Sequence, residues 1–266
     1  MMPKFLSSKL SWGILALASV MLTILVFLPA SWLAFALEKQ SRGRLSLGDV
    51  QGSFWNGSAF VGVAADMNGP LTPLFAGRFS WKISPLLLLG QLDVKLDNPA
   101  SLTPAVNITG NLSQWNVSPA RLSLPPERLE GLGAPLNTIG PTGECRLSWN
   151  NLQMTREQSK VNVQGQVFFD LTEMASRLSP IKPLGSYQMI FHLHGSDADM
   201  QLNTLQGPMM LGGTGQIHQG RFQFSGTARA QQGQEDKLAN LLNLLGQRRK
   251  ESSKGGDKDV IALEFK

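Results

Sequence analysis

The sequence predicts a mainly β protein: a single N-terminal transmembrane helix, then an elongated, antiparallel, twisted β-sheet domain with one C-terminal amphipathic helix and a final strand. Three observations predict it. Leu10 to Leu37 is a run of 28 residues without a charge. Downstream, apolar and polar residues alternate with period two in runs separated by Gly, Pro or Asn, the pattern of half-buried strands. The 266 residues include 27 Gly and 15 Pro and are only 16% charged, which suits strands and turns better than a helical array. With 42% hydrophobic residues the chain is neither a disordered tail nor a collagen-like fibre.

Residues 1–9 form a leader containing Lys4 and Lys9, and residues 10–37 the anchor. At 1.5 Å per residue the run reaches about 42 Å against a hydrocarbon core of about 30 Å, enough to span with tilt or to end early. Trp12 and Trp32 stand near its two ends, where interfacial aromatic anchors belong. Pro29 marks a kink or the start of fraying. A cleaved signal peptide is the alternative, with Ala34-Phe35-Ala36 as its small-residue site, but the apolar run is longer than an ordinary signal core. Lys4 and Lys9 on one side face Lys39, Arg42 and Arg44 on the other, so positive charge does not decide orientation. A short leader, one span and a large exported domain give the expected plan: a cytoplasmic leader and a periplasmic domain over residues 38–266.

Within that domain Phe79, Trp81 and Ile83 share one face of a strand and Ser80 and Lys82 the other; Leu92, Val94 and Leu96 alternate with Gln91, Asp93 and Lys95 in the same way. Further strands are expected at 45–50, 106–112, 121–124, 144–149, 161–169, 187–194, 200–205 and 221–230. No helix-length pattern separates them, so a parallel sheet of βαβ units is disfavoured. Ser-Trp pairs ending at Trp81 and Trp149, with Trp115 between them, give a loose internal echo. Near 236–246, Leu238, Leu241, Leu242 and Leu245 recur at helical spacing, acidic Glu235 and Asp236 open the helix and Gly246 closes it. Residues 251–258 read as a flexible Gly/Ser/Lys linker and 260–265 as the last strand.

Catalytic signatures are missing: there is no nucleophile elbow and no phosphate-binding loop. Gly213 and Gly215 are expected to be turn glycines rather than part of a dinucleotide site. His192 and His194, two apart on a strand, could share a metal with a nearby Asp, but the simpler reading puts both on a solvated face. Cys145 alternates with Leu147 and Trp149 and reads as a small core residue, and Met209-Met210-Leu211 as a buried strand edge. The net charge of +5 is scattered apart from Arg248-Arg249-Lys250, so a nucleic-acid surface is not expected. With no catalytic signature found, no small-molecule substrate, metal, cofactor or catalytic residue is expected either.

Four pieces of the chain resemble one family. They are Phe27-Leu28-Pro29-Ala30; the segment from Val50 to Ala59 containing Gly52, Trp55 and Gly57; Phe79 to Leu86 with Trp81 and Pro85, followed by Gly90-Gln91-Leu92; and Leu241 to Gly246. Together they are similar to the type II secretion system protein N (GspN) family of the bacterial inner membrane. Phe54 stands where the family usually has a smaller aliphatic residue. The resemblance implies a non-enzymatic inner-membrane subunit of the apparatus that exports folded proteins across the outer membrane. Its partners would be the secretin and the bitopic inner-membrane components. The helix-then-strand ending is shared with AsmA-like periplasmic proteins, so lipid binding or transport is the alternative. An open groove lined by Phe79, Trp81, Leu92, Val94 and Phe222 would favour that alternative.

Overall fold

A computed structural model describes residues 4–63, 72–132, 136–158, 160–218, 220–245, 247–248 and 260–265. The N-terminal apolar run is not one helix. It is divided between α1 (Lys4–Val26) and α2 (Ser31–Gln40). Pro29 is the cause: it has no N–H to give Leu25, four residues back, and it biases Leu28 away from helical geometry. Trp12 and Trp32, expected to bracket a single span, therefore stand on separate helices, 72% and 62% exposed. Among the described residues no helix is long and apolar enough to cross a membrane.

The strands follow in chain order as β1 (Leu45–Gly52), β2 (Asn56–Val63), β3 (Thr72–Pro73), β4 (Phe79–Ile83), β5 (Gln91–Asp97), β6 (Leu102–Thr103), β7 (Val106–Asn111), β8 (Gln114–Val117) and β9 (Ala120–Leu124). After a four-residue helix α3 (Leu136–Ile139) come β10 (Pro141–Trp149), β11 (Leu152–Glu157), β12 (Lys160–Ser176), β13 (Gly185–Gly195), β14 (Asp197–Gln206), β15 (Met209–His218) and β16 (Arg221–Ala230). Helix α4 (Glu235–Leu245), β17 (Gln247–Arg248) and β18 (Ile261–Phe265) end the chain.

Every pairing is antiparallel, and the strands follow one another as a meander. β1 pairs with β2, β2 with β4, β4 with β5, β5 with β7, β7 with β8 and β8 with β11. β12 takes β11 and then β10 along one edge and β13 along the other, and β9 and β6 continue outward from β10. β13 to β16 pair in succession, and β18 joins β16 rather than returning to β1, so the sheet is open. In such a meander the turns alternate between two ends of the sheet. The turns at 52–56, 84–90, 111–114 and 195–197 all lie at one end, where the pairs Glu157–Lys160 and His218–Arg221 also stand.

Three apolar clusters lie along the sheet. The first collects Ala30, Ala59 and Trp81 with Leu33, Leu47 and Val50. The second is built around Phe79, Val106, Val117 and Leu152, and Trp115 and Trp149 pack onto it. The third joins Tyr187, Met200, Phe224 and Ile261 to Leu238, Leu241 and Leu242 of α4, which lies across the last strands. Burying three leucines of one helix contributes about 1.5–3 kcal/mol each before the entropy of ordering. The expected helix and final strand are thus present, whereas Gly246 and the 251–258 stretch fall outside the described residues.

Gly213 and Gly215 are not turn residues. They sit inside β15, with Gly226 opposite Gly213 on β16. A Cβ on Gly213 would lie 2.6 Å from the Phe224 ring and 2.6 Å from the Gly226 Cα. Gly213 and Gly226 leave room for the Phe224 ring and Gly215 for Met200 and Phe222, a packing role that composition alone does not distinguish from a turn.

Candidate functional site

The family-motif residues converge where the N-terminal helices meet the sheet. Because Pro29 offers no N–H, the Leu25 carbonyl at the end of α1 would be an orphan acceptor. The indole Nε1 of Trp55 donates to it at 2.8 Å. The chain then runs beside the β1–β2 turn as a short antiparallel pair: Phe54 N donates to Leu28 O at 2.8 Å, Ala30 N donates to Gly52 O at 3.3 Å, and Pro29 opposes Ser53.

The turn itself is fixed from the other side by β4. Ile83 N donates to Trp55 O at 2.7 Å, and Trp81 Nε1 donates to Phe54 O at 3.0 Å. The Phe54 and Trp55 rings meet edge to face with centroids 5.1 Å apart, so the unusual phenylalanine extends this packing. Gly52 has φ +87°, a conformation that favours glycine, and a Cβ there would lie 2.4 Å from Asn56 O. At Gly57 the need is space: its Cα lies against the Trp81 ring, and a Cβ would come within 2.5 Å of Cζ2. Four of the predicted motif residues, Gly52, Trp55, Gly57 and Trp81, therefore belong to one clamp.

Pro85 is adjacent rather than central. It opens a 3₁₀ turn, Pro85–Leu89, capped by the Ser84 hydroxyl, which accepts from Leu86 N at 3.3 Å, and closed by Gly90 at φ +84°. A second strap crosses the first strands. The Arg78 guanidinium pairs with Asp49, which sits at the bulge in β1 with φ +47°, and lies 4.7 Å over the Phe60 ring. Hydrogen bonds from Arg78, then Gln51, hold the exposed Asp49 carboxyl below its ordinary range. The tryptophan and glycine positions were legible as a motif. The acceptor of Trp55 was signalled only by the proline that removes the usual donor.

The other singled-out residues lie elsewhere. His192 and His194 are exposed on the outward face of β13, as the alternation predicts. His192 Nδ1 is 3.1 Å from Gln166 Nε2, and His194 Nε2 is 3.7 Å from Asp199 Oδ2. His218 approaches Asp197 at 3.1 Å, a separate pair. Among the described residues no three potential metal ligands converge. Cys145 is buried, and burial, with Glu127 nearby, pushes its thiol up to about 11. Met209 is buried in the third cluster, and its carbonyl accepts from the Tyr187 hydroxyl at 3.0 Å.

Beside the open end of the sheet the outward face is concave, with Met200 and Phe224 lining it beside polar side chains. A trough of about 870 Å³ is lined by His192, Asp199, Gln216, Gln223, Ser225 and Glu264, among others, from strands β13 to β16 and β18. Within it His192, Asp199, Gln216 and Gln223 stand opposite one another in register across four strands. Every buried side-chain nitrogen or oxygen among the described residues has a hydrogen-bond partner.

No curated protein and no solved structure matches the chain. A family profile does: that of Type II secretion system (T2SS), protein N, over residues 43–253, which takes in β1 to α4. Matched over most of its length, with the motif glycines and tryptophans meeting in one clamp, the chain belongs to the type II secretion system protein N family.

Proposed function

We propose that this type II secretion component is a non-enzymatic subunit held at the inner membrane by its N-terminal helices, with the sheet in the periplasm as an assembly module. The observation that carries the reading is the open sheet edge beside the trough. Among the described residues β18 has β16 on one side, while on the other the two-residue β17 pairs with Ile261 and Ala262. An extended segment of the secretin or of a bitopic inner-membrane subunit would add to β18 through main-chain hydrogen bonds, with its polar side chains over the trough. Exposure supports the anchoring: on α1, Ile14, Leu15, Leu17, Val20, Met21, Leu22 and Ile24 are all more than half exposed, an apolar surface that water does not favour.

Photocrosslinkers placed in cells at His192, Gln223 and Glu264, and at Lys82 and Lys95 farther along the sheet, test this. Adducts with secretion subunits at the first three positions and few at the last two are expected. Adducts confined to phospholipid or lipopolysaccharide would sink the assembly reading in favour of the AsmA-like alternative. That alternative has less support, because Phe79 and Trp81 pack into two different clusters instead of lining one groove.

A further inference from the structure

We infer that the hairpin tips beside the α1 junction form a second membrane contact, a surface that seats on the phospholipid headgroup layer and receives a lipid phosphate. The inference rests on the anchoring proposed above and adds to it a site on the sheet itself.

The turns at 52–56, 84–90 and 111–114 lie at the end of the sheet where α1 is bonded through Trp55 to the β1–β2 turn. From β2 to β8 the sheet crosses β4, β5 and β7, so at about 4.8 Å per strand all three turns fall within roughly 20 Å. The two turns beyond the junction display exposed apolar side chains. Leu86, Leu88 and Leu89 on the 3₁₀ turn are 45%, 55% and 79% exposed, and Leu112 is 52% exposed. Four leucines presented on turns, where polar residues ordinarily stand, form an apolar rim at the end of the sheet to which α1 is bonded.

Between the 111–114 turn and the end of β11 lies a depression of about 550 Å³ lined by Asn111, Leu112, Ser113, Gln114, Thr155 and Arg156, with Gly90 of the neighbouring turn at its edge. Arg156 is held there by its own backbone, which donates to Ser113 O at 2.7 Å, and its side chain is exposed. A guanidinium beside hydroxyl and amide groups is the chemistry that binds phosphate oxygens, and leucines around it reach the acyl boundary. Lys160 adds a second cation at the next turn, and Glu157 the one carboxylate between them. A lipid phosphate satisfies both parts of this surface at once. A soluble anion satisfies only the arginine.

The test uses the full chain in vesicles of phosphatidylethanolamine and phosphatidylglycerol containing a doxyl-labelled lipid, in a Cys145→Ala background. One environment-sensitive fluorophore is attached to Leu89→Cys, Leu22→Cys or Leu205→Cys. Leu205 is 61% exposed but lies at the far end of β14, so it controls for exposure alone. Loss of most emission at 89 and 22, with 205 unaffected, is the expected result, and Arg156→Gln should weaken the quenching at 89 only. An unquenched 89 beside a quenched 22 overturns this inference and leaves the anchor standing. No quenching at 89 or 22 overturns both. Equal quenching at 89 and 205 overturns it as well, since it reports general adsorption of the sheet.

Discussion

Gly57 has no room for a side chain, and the atoms that crowd it are mostly backbone. A Cβ would lie 2.5 Å from Trp81 Cζ2, 2.7 Å from Gln51 O and 2.8 Å from Ser53 O. Gly57→Ala should therefore cost about 1–3 kcal/mol, read as a lower urea midpoint of the detergent-solubilised protein. Trp55→Phe keeps the ring and removes the donor, so the Leu25 carbonyl loses its partner. A cost of about 1 kcal/mol is expected, with faster amide exchange in the last turn of α1. Cys145 gives a pH signature. Its thiol is held up to about 11 against an ordinary 9.0, so between those values the unfolded chain releases a proton that the folded chain keeps. Stability should be unaffected by this group below pH 9 and should fall by up to about 1.4 kcal/mol per pH unit above it. Cys145→Ala should remove that part of the alkaline slope in denaturation curves measured from pH 8 to 11. The burial of Cys145 and the outward aim of His192 were legible because period two assigns faces. The role of Gly213 was not, because whether a glycine turns the chain or makes room for Phe224 depends on the residue opposite it, and register is a tertiary fact.

At the scale of elements, α4 shows what periodicity delivers. Leu238, Leu241 and Leu242 are buried at 0%, 3% and 4%, while Leu244 is 54% exposed. Leu238→Ala should cost about 2–5 kcal/mol and Leu244→Ala less than about 0.5 kcal/mol, a contrast that chemical denaturation measures directly. The strands with clean alternation, β4, β5 and β16, lie where the sequence pattern sets them. β2, β8 and β11 were not anticipated as strands, and β15 was anticipated only at Met209 to Leu211. β2 was seen only as a motif, β8 and β11 are short continuations bent away from β9 and β10 around polar turns, and β15 is interrupted by glycines. The anchor differs for another reason. Pro29 was legible as a kink, but hydropathy counts apolar residues without regard to backbone donors, so the run still read as one span rather than as α1 and α2.

For the whole molecule, the clusters are strung along a sheet rather than gathered into one core, and each is joined to the next mainly by strand pairing. Local damage should stay local. Leu238→Ala is expected to speed hydrogen exchange in β13 to β16 and to leave β2 to β5 unchanged; uniform acceleration across all strands would show one cooperative unit instead. The antiparallel meander was legible as a class, whereas its failure to close on itself was not, since closure depends on accumulated twist that no single strand encodes. The junction at Pro29 has a mechanical meaning as well. Residues 28 to 30 run antiparallel to residues 52 to 54, with Trp55 gripping the helix end just before them, so tension along α1 loads these bonds together in shear instead of peeling them one at a time. A pull on the helix is thereby passed to β1, β2 and β4 together, through the pairing at 28–30 and the Trp55 bond, rather than to one strand alone.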